Sequence, residues 1–559
     1  MILGMKNRVL SFIVFLLLAT PLLAAAEWTF PGGTNCNLRV PHDAALDFPG
    51  GFKATVRFAC DLEKIGKSRF SNLVTKGRDF NDGWSIMVKN DGQLLVYLKG
   101  VDPSYGLVAT RIESRRDHLL EVYVCTNCVR IVLDGKENGS YWYAGHREMG
   151  SVPTPLQIGN MGGYTFSGRI PLVRLEALSG VTLPPGGPKP ISYQPPKNQA
   201  RAEIKWVKPI CEEKDRYIGW PTVCRLANGD VMAVFSGDRD SHICPWGKVQ
   251  MVRSTDDGET WSAPVTIANG ILDDRDAGIV QLPNGEIIVT WFTSVAYRDP
   301  GILAKHPEYK KHDEKRDKEA ANAAMGYFLI RSRDNGKTWS KPEKLANCDQ
   351  TPHGPIVLKD GSLLQIGRRT AIANATATGR YVRTIITVSR SIDAGHTWTV
   401  LCPEIPDRDG ENSKPNMFHE PHVVELADGT LVGQIRYHGP DNCMRQTISR
   451  DGGKTWTPMA KTPMLGLPPH LIRLADGKLV TVYGRRFNDP GFGEFACISD
   501  DGGKTWDIAN EISLAPSHSY DLGYPASCVL ANGDILTVFY QQPGLGQLPC
   551  LMATRWRVK

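Results

Sequence analysis

Little in these 559 residues suits the chain for a bilayer or for nucleic acid. Beyond one apolar run near the N-terminus, no stretch approaches the ~20 consecutive apolar residues that a spanning helix requires, so no membrane span is expected. Basic blocks are missing too. The formal charge is +6, with Lys and Arg interspersed among Asp and Glu, which argues against nucleic acid as a partner. Cys125 and Cys128 have C-x-x-C spacing, but no second pair follows to complete a zinc site. The surrounding EVYVCTNCVRIVL reads instead as two strands and a tight turn. The histidines show no recognisable metal-ligand spacing, and neither a metal nor a cofactor is expected.

What is present at the start reads as an export signal. Lys6 and Arg8 precede an apolar run from Val9 to Leu18, and Ala24-Ala25-Ala26 offers a small-residue cleavage site before Glu27. The expected location is therefore secreted or periplasmic. No cysteine stands at that site to accept a lipid. All 13 cysteines follow the signal, and an odd count in an oxidising compartment leaves at least one thiol unpaired or bonded to another chain.

The remaining length exceeds what one core usually holds, so two domains are expected, both all-β. Residues 181–200, VTLPPGGPKPISYQPPKNQA, are too rich in Pro and Gly for a strand and mark a linker. Residues 27–180 contain short alternating strands such as FKATVRFAC and GQLLVYLKG, which predict a two-sheet β-sandwich of jelly-roll type. Through FSNLVTKGRDFNDGWSIMVKNDGQLLVYL and VRIVLDGKENGSY this segment resembles laminin-G or concanavalin-like modules, which implies either a sugar-binding or a plain accessory role.

From 201 to 559 the chain repeats itself. Hydrophobic runs are broken by LANGD (226–230), LPNGE (282–286), LKDGS (358–362), LADGT (426–430), LADGK (474–478) and LANGD (530–534). Asn-Gly and Asp-Gly supply the positive φ that two-residue hairpin turns require. Five units then carry S-x-D-x-G-x-T-W, beginning at Ser254, Ser332, Ser391, Ser449 and Ser499. Here the Asp can accept backbone N–H bonds, the Gly permits a bend and the Trp fills space between units, so these carboxylates are structural. The repeats predict a six-bladed β-propeller. Its last blade lacks a box, because its outermost strand is expected to be IKWVKPI (204–210), which closes the ring and removes open sheet edges.

The five boxes resemble the Asp boxes of sialidases. Within a four-stranded blade, one face collects the residues before each innermost strand and after each second strand, and these are rich in Arg, His, Asp, Glu and Tyr. HEPHVVELADGTLVGQIRY is similar to the sialidase stretch in which a Glu opens a blade and an Arg ends its second strand, and GYPASCVLANGDILTVFY to the blade that opens with a nucleophilic Tyr. The resemblance implies a retaining exo-α-sialidase, or a related hydrolase of another acidic sugar, acting on a glycan. Tyr524 would be the nucleophile, Glu420 its base, and Asp240 or Asp238 the acid. A phenol with a reference pKa near 10 needs such a base, and a phenol avoids setting a second carboxylate against an anionic sugar.

The resemblance also implies three arginines for the substrate carboxylate, whose planar forks suit bidentate binding. Arg436 fits one place, and Arg485 or Arg486 another. The first-blade Arg-Ile-Pro is replaced by Ile218-Gly219-Trp220-Pro221-Thr222. Arg239, Arg275 or Arg368 could substitute, or the ligand could lack a carboxylate there, and Trp220, His242 and His419 would line the substrate. His353, His422 and His470 crowd the same face, which keeps a propeller lyase using His and Tyr on a uronate glycan as an alternative. A noncatalytic glycan-binding propeller is the third reading.

Overall fold

The structure, a computed structural model, describes residues 25–29, 38–48, 50–65, 70–77, 83–89, 92–98, 105–125, 128–142, 153–159, 166–178, 200–376, 379–408, 417–486, 492–517, 520–543 and 547–559. The chain divides into two compact units, residues 1–188 and 189–559. Residues 1–24 of the export signal expected over 1–26, and 181–199 of the linker expected over 181–200, lie outside the described residues.

The first unit holds two six-stranded antiparallel sheets. They pack face to face: Phe52, on the strand Phe52–Cys60 of one sheet, lies against Trp84, on Trp84–Lys89 of the other, with ring centroids 4.4 Å apart. Alternation explains this, since Phe52, Ala54, Val56 and Phe58 are all fully buried while Arg57 between them is exposed.

The second unit holds six four-stranded antiparallel sheets. Their innermost strands are Tyr217–Arg225, Asp273–Gln281, Ile356–Val357, Phe418–Glu425, Leu467–Arg473 and Leu522–Val529. Each sheet packs against the next, and the sixth returns to the first, so the ring is made by packing rather than by continuous hydrogen bonding. In the sixth blade the outermost strand is Ala202–Cys211, paired with Cys550–Val558 from the other end of the sequence. Six four-stranded sheets in an all-β unit agree with the number of units and the class that the repeats predict.

The inner hairpins differ from the two-residue turns expected. Leu226 N–H bonds Asp230 O at 2.7 Å around a five-residue loop, and Leu282–Glu286, Leu358–Ser362, Leu426–Thr430, Leu474–Lys478 and Leu530–Asp534 repeat it. Only the glycine of each loop has positive φ, as at Gly229 (95°). The preceding Asn228 instead bends the loop with its side chain, accepting Asp230 N–H at 3.1 Å.

The Asp boxes are structural. Asp451 accepts N–H bonds from Lys454 and Thr455 at 3.0 and 2.9 Å, and the Trp456 indole donates to Gly453 O at 3.0 Å. Trp456 is only 6% exposed and joins the core between the third and fourth blades. Trp456→Ala is expected to cost about 3–5 kcal/mol, read as a lower urea midpoint at unchanged slope.

Cys125 apart, the ten cysteines whose side chains are described are free thiols, eight of them buried. Among the described residues no helix is long and apolar enough to cross a membrane.

Candidate active site

One backbone device aims four side chains at the centre of the ring. Of five innermost strands that shift register near the start, four pass over two residues in a bulge, between Gly219 and Thr222, Arg275 and Gly278, His419 and His422, and Gly523 and Ala526. Inside each bulge a non-glycine residue adopts positive φ: Trp220 (55°), Asp276 (53°), Glu420 (39°) and Tyr524 (52°). Such conformations cost on the order of 1–3 kcal/mol each, and their recurrence at one depth in four blades marks this face as the functional one. Gly354 holds positive φ in the third blade. Trp220, Gly354, Glu420 and Tyr524 are each followed by proline, which donates nothing to the ladder where the strand breaks register.

Tyr524 and Glu420 are brought together. The Tyr524 hydroxyl donates to Glu420 Oε1 at 2.5 Å, while Arg436 Nη1 donates to Glu420 Oε2 at 2.5 Å and lies 3.3 Å from Tyr524 Oη. Arg436 Nε donates to His438 Nε2 at 2.7 Å, a partner the sequence reading missed. Burial alone would raise the Glu420 carboxyl, but the Arg436 charge, then His419 and the bonds from Tyr524 and Arg436, hold it at about 2. Burial, with Glu420 and Asp276 adding to it, pushes the Tyr524 phenol well above its ordinary value. The resting pair is thus phenol and carboxylate, with the proton already aligned for transfer.

The arginines separate into two groups. Arg486 faces the site: its guanidinium lies 5.6 Å from the Tyr524 ring centroid, and its Nε and Nη2 donate to Leu522 O at 2.7 Å and Tyr540 Oη at 2.8 Å. Glu494, fully buried, backs it. Arg485 alternates to the other side of its strand, where it pairs with Glu511 at 2.5 Å and bonds Leu465 O. Arg239 is fully buried and doubly bonded to Asp273, at 2.5 and 2.9 Å. Neither Arg485 nor Arg239 is placed to meet a ligand. Arg368 is half-buried within electrostatic reach of Glu420, Arg436 and Tyr524. Its Nε has no hydrogen-bond partner, and no carboxylate pairs with it among the described residues.

Trp220 contacts no open surface, contrary to the expectation that it lines the substrate, because it is 1% exposed. Its ring stacks on Tyr217 at 5.5 Å, packs against Tyr540 at 5.4 Å and meets Tyr524 edge-on at 6.4 Å. The guanidinium of Arg275 rides on it at 4.4 Å, with Arg239 at 5.0 Å. Gly219 stands at the place of the sialidase arginine, and Trp220 beside it gives Arg275, from the neighbouring blade, an aromatic face.

Asp238 and Asp240 are not joined to the Tyr524–Glu420 pair by any contact among the described residues. Asp238 pairs with Arg216 at 2.8 Å and with Lys248, and Asp240 pairs with Arg216. Asp276, which sequence reasoning passed over, lies close enough to act electrostatically on both Tyr524 and Glu420.

The histidines also divide. His242 is on the rim, bonded to Tyr217 Oη at 3.0 Å and set edge-on to Trp220 at 4.9 Å. His419 lies beside His438, with ring centroids 4.4 Å apart. His353, His422 and His470 form a buried cluster. His422 Nδ1 accepts Leu471 N–H at 3.0 Å and His470 Nδ1 accepts Ser527 N–H at 3.4 Å. Both rings therefore carry their proton on Nε2, the tautomer unsuited to binding a metal through that nitrogen. Among the described residues, no group of three or more His, Cys, Asp or Glu is arranged to hold a metal ion.

A helical insertion follows the second strand of the second blade, with helices Pro300–Lys305, Pro307–Glu314 and Lys318–Ala323. It packs Tyr297 and Tyr309 on Cys244 of the first-blade loop, and Arg316 donates to Pro245 O at 2.9 Å. That loop follows Arg239 on the same face as the site.

Comparison with known proteins agrees with this architecture. Residues 306–537 match the BNR repeat-like domain family. A sialidase of Paraclostridium sordellii is 27% identical over 267 residues, 43% of this chain and 57% of that protein. A sialidase of Bacteroides fragilis (strain YCH46) is 24% identical over 341 residues, 56% of each. The chain thus spans a little over half the length of these curated relatives. Among solved structures, a protein of unknown function from Dyadobacter fermentans DSM 18053 shares the fold with a TM-score of 0.52 and 22% identity, over 64% of this chain and 99% of that one. In its repeats, its four-stranded sheets and these relatives the chain is similar to sialidases with BNR repeats.

Proposed function

We propose that the chain is a secreted retaining glycoside hydrolase that removes a terminal acidic sugar, sialic acid or a close analogue, from glycans. The observation carrying this reading is the Tyr524–Glu420 pair at 2.5 Å, bridged by Arg436 in the middle of the ring. Attack of Tyr524 Oη on the anomeric carbon forms the glycosyl–tyrosine bond as the phenolic proton passes to Glu420 Oε1. The glycosidic C–O bond breaks, and its oxygen takes a proton from an acid on the opposite side. Water then reverses both transfers. Arg368, Arg486 and Arg275 supply positive charge around this pair for the sugar carboxylate, with Arg368 Nε the donor left unmatched by the protein.

The lyase alternative would need an accessible histidine base. His353, His422 and His470 are buried, and His242 on the rim is taken up by Tyr217 Oη and Asp521, which favours the hydrolase. The test is to incubate the protein with a fluorogenic sialic acid glycoside and, separately, with a uronate polysaccharide. Release of fluorophore with an α-configured first product supports the hydrolase. Near-ultraviolet absorbance of an unsaturated product from the uronate would replace it with a lyase, and binding without turnover would leave a glycan-binding propeller.

A further inference from the structure

We infer that Asp276, rather than Asp238 or Asp240, holds the proton delivered to the departing glycosidic oxygen, an inference that rests on the hydrolase reading above. Three geometric facts carry it. Asp276 occupies in the second blade the same bulged, positive-φ position that Glu420 and Tyr524 occupy in the fourth and sixth, so its side chain is directed at the same centre. It is 4% exposed, and its Oδ1 is buried with no hydrogen-bond partner. Arg275 Nε stands 3.9 Å away, beyond hydrogen-bonding reach, and Ser236 Oγ engages the Asp276 backbone N–H at 2.9 Å, not its carboxyl. A buried carboxyl oxygen without a partner is costly unless a ligand group meets it.

The charges around it agree. Arg275 and Asp273 face Asp276 from its own strand, Arg239 from the first blade, Glu420 from the fourth, and Tyr524 from the sixth. Burial pushes the carboxyl up; Arg275 opposes, the Glu420 charge adds, and it settles at about 7. The site thus sets two carboxyl groups far apart, Glu420 ionised and Asp276 still carrying its proton in a large share of molecules at neutral pH, the division of labour that acid and base require. Asp238 and Asp240 offer no comparable buried group: Arg216 and Lys248 hold the two oxygens of Asp238, and Asp240 is exposed with Oδ1 on Arg216.

In the first half-reaction Tyr524 Oη bonds to the anomeric carbon and its proton passes to Glu420, while the leaving oxygen departs with the Asp276 proton. In the second, water gives a proton to the Asp276 carboxylate as it attacks, the C–Oη bond breaks, and Glu420 returns its proton to Tyr524. Protons and bonds balance over the cycle.

The test uses Asp276→Asn, which keeps shape, with two sialic acid substrates: an alkyl glycoside, whose oxygen leaves only if protonated, and the glycosyl fluoride, whose fluoride does not need a proton. The expected result is a kcat loss of about 10²–10⁴-fold on the alkyl glycoside against less than about tenfold on the fluoride. Infrared titration of the resting protein is expected to show a protonated carboxyl lost near pH 7 in wild type and missing in the variant. Equal losses on both substrates overturn the inference, as does a wild-type carboxyl spectrum that the substitution leaves unchanged. A wild type that turns over neither substrate, yet shows the Asp276 proton, overturns the hydrolase reading and removes the leaving group that proton would serve.

Discussion

Tyr524→Phe is expected to lower kcat/KM on a sialic acid glycoside by at least about 10⁴-fold while leaving the protein folded. The phenyl ring keeps the contacts with Trp220 and Tyr540, at 6.4 and 6.2 Å, so the core between the first and sixth blades loses only one oxygen. What disappears is the atom that would bond the anomeric carbon. Glu420→Gln should fall nearly as far, because the amide still accepts from Arg436 but cannot take the phenolic proton as Oη bonds to carbon. Burial and the Glu420 charge keep that proton on Tyr524 at rest, so its transfer must be coupled to attack. The double variant is expected to be scarcely worse than either single one, since the two residues act as a unit. Steady-state kinetics on the four proteins checks this. Losses that multiply would mean that Tyr524 and Glu420 contribute independently and would sink the nucleophile–base assignment.

Much of this arrangement was legible from sequence because propellers advertise themselves by period. Six turn motifs and five boxes fix the number of blades, and the missing sixth box points to a strand from the other end, found at Ala202–Cys211. Glu420 and Tyr524 could be read because each stands at a blade opening and matches a known pattern. The outward side of the same reading failed where backbone geometry decides orientation. Arg485 and Arg486 are adjacent, and only strand alternation sends one to Glu511 and the other to Tyr540. Asp238 and Asp240 sit in the expected loop, but Arg216, from the turn before the first innermost strand, captures both.

Asp276 was missed for a physical reason. Positive φ at Trp220, Glu420 and Tyr524 coincides with a following proline, a signal visible in the sequence once the bulge is known. Asp276 is followed by Ala277, so nothing in its immediate neighbourhood distinguishes it from Asp273 and Asp274, both buried beside it. Its identity follows only from superposing the blades. The exchange at the first blade was visible as a missing arginine, but its consequence was not. Trp220 neither leaves a gap nor reaches the ligand; it stacks on Tyr540 and carries Arg275 on its face.

Arg436→Met tests how far that charge organises the pair. Arg436 offsets the burial of Glu420, and a buried ion pair stripped of one partner typically costs about 3–5 kcal/mol, because the remaining charge is left uncompensated. The pH dependence follows from the direction of the shift. In wild type the folded-state Glu420 lies at about 2, below its unfolded value, so its contribution to stability is present above about pH 4.5 and is lost as pH falls towards 2. Without Arg436, burial becomes the dominant influence and moves the folded-state value above the unfolded one. The same carboxyl then opposes folding at neutral pH and ceases to do so in acid, where it is protonated. Urea unfolding of both proteins between pH 3 and 8 is therefore expected to show the largest difference at neutral pH, narrowing towards pH 3. A constant gap would mean that Arg436 stabilises by packing alone. Activity of the variant should fall as well, because the Tyr524 proton would then face an acceptor whose ionised form is no longer held in place.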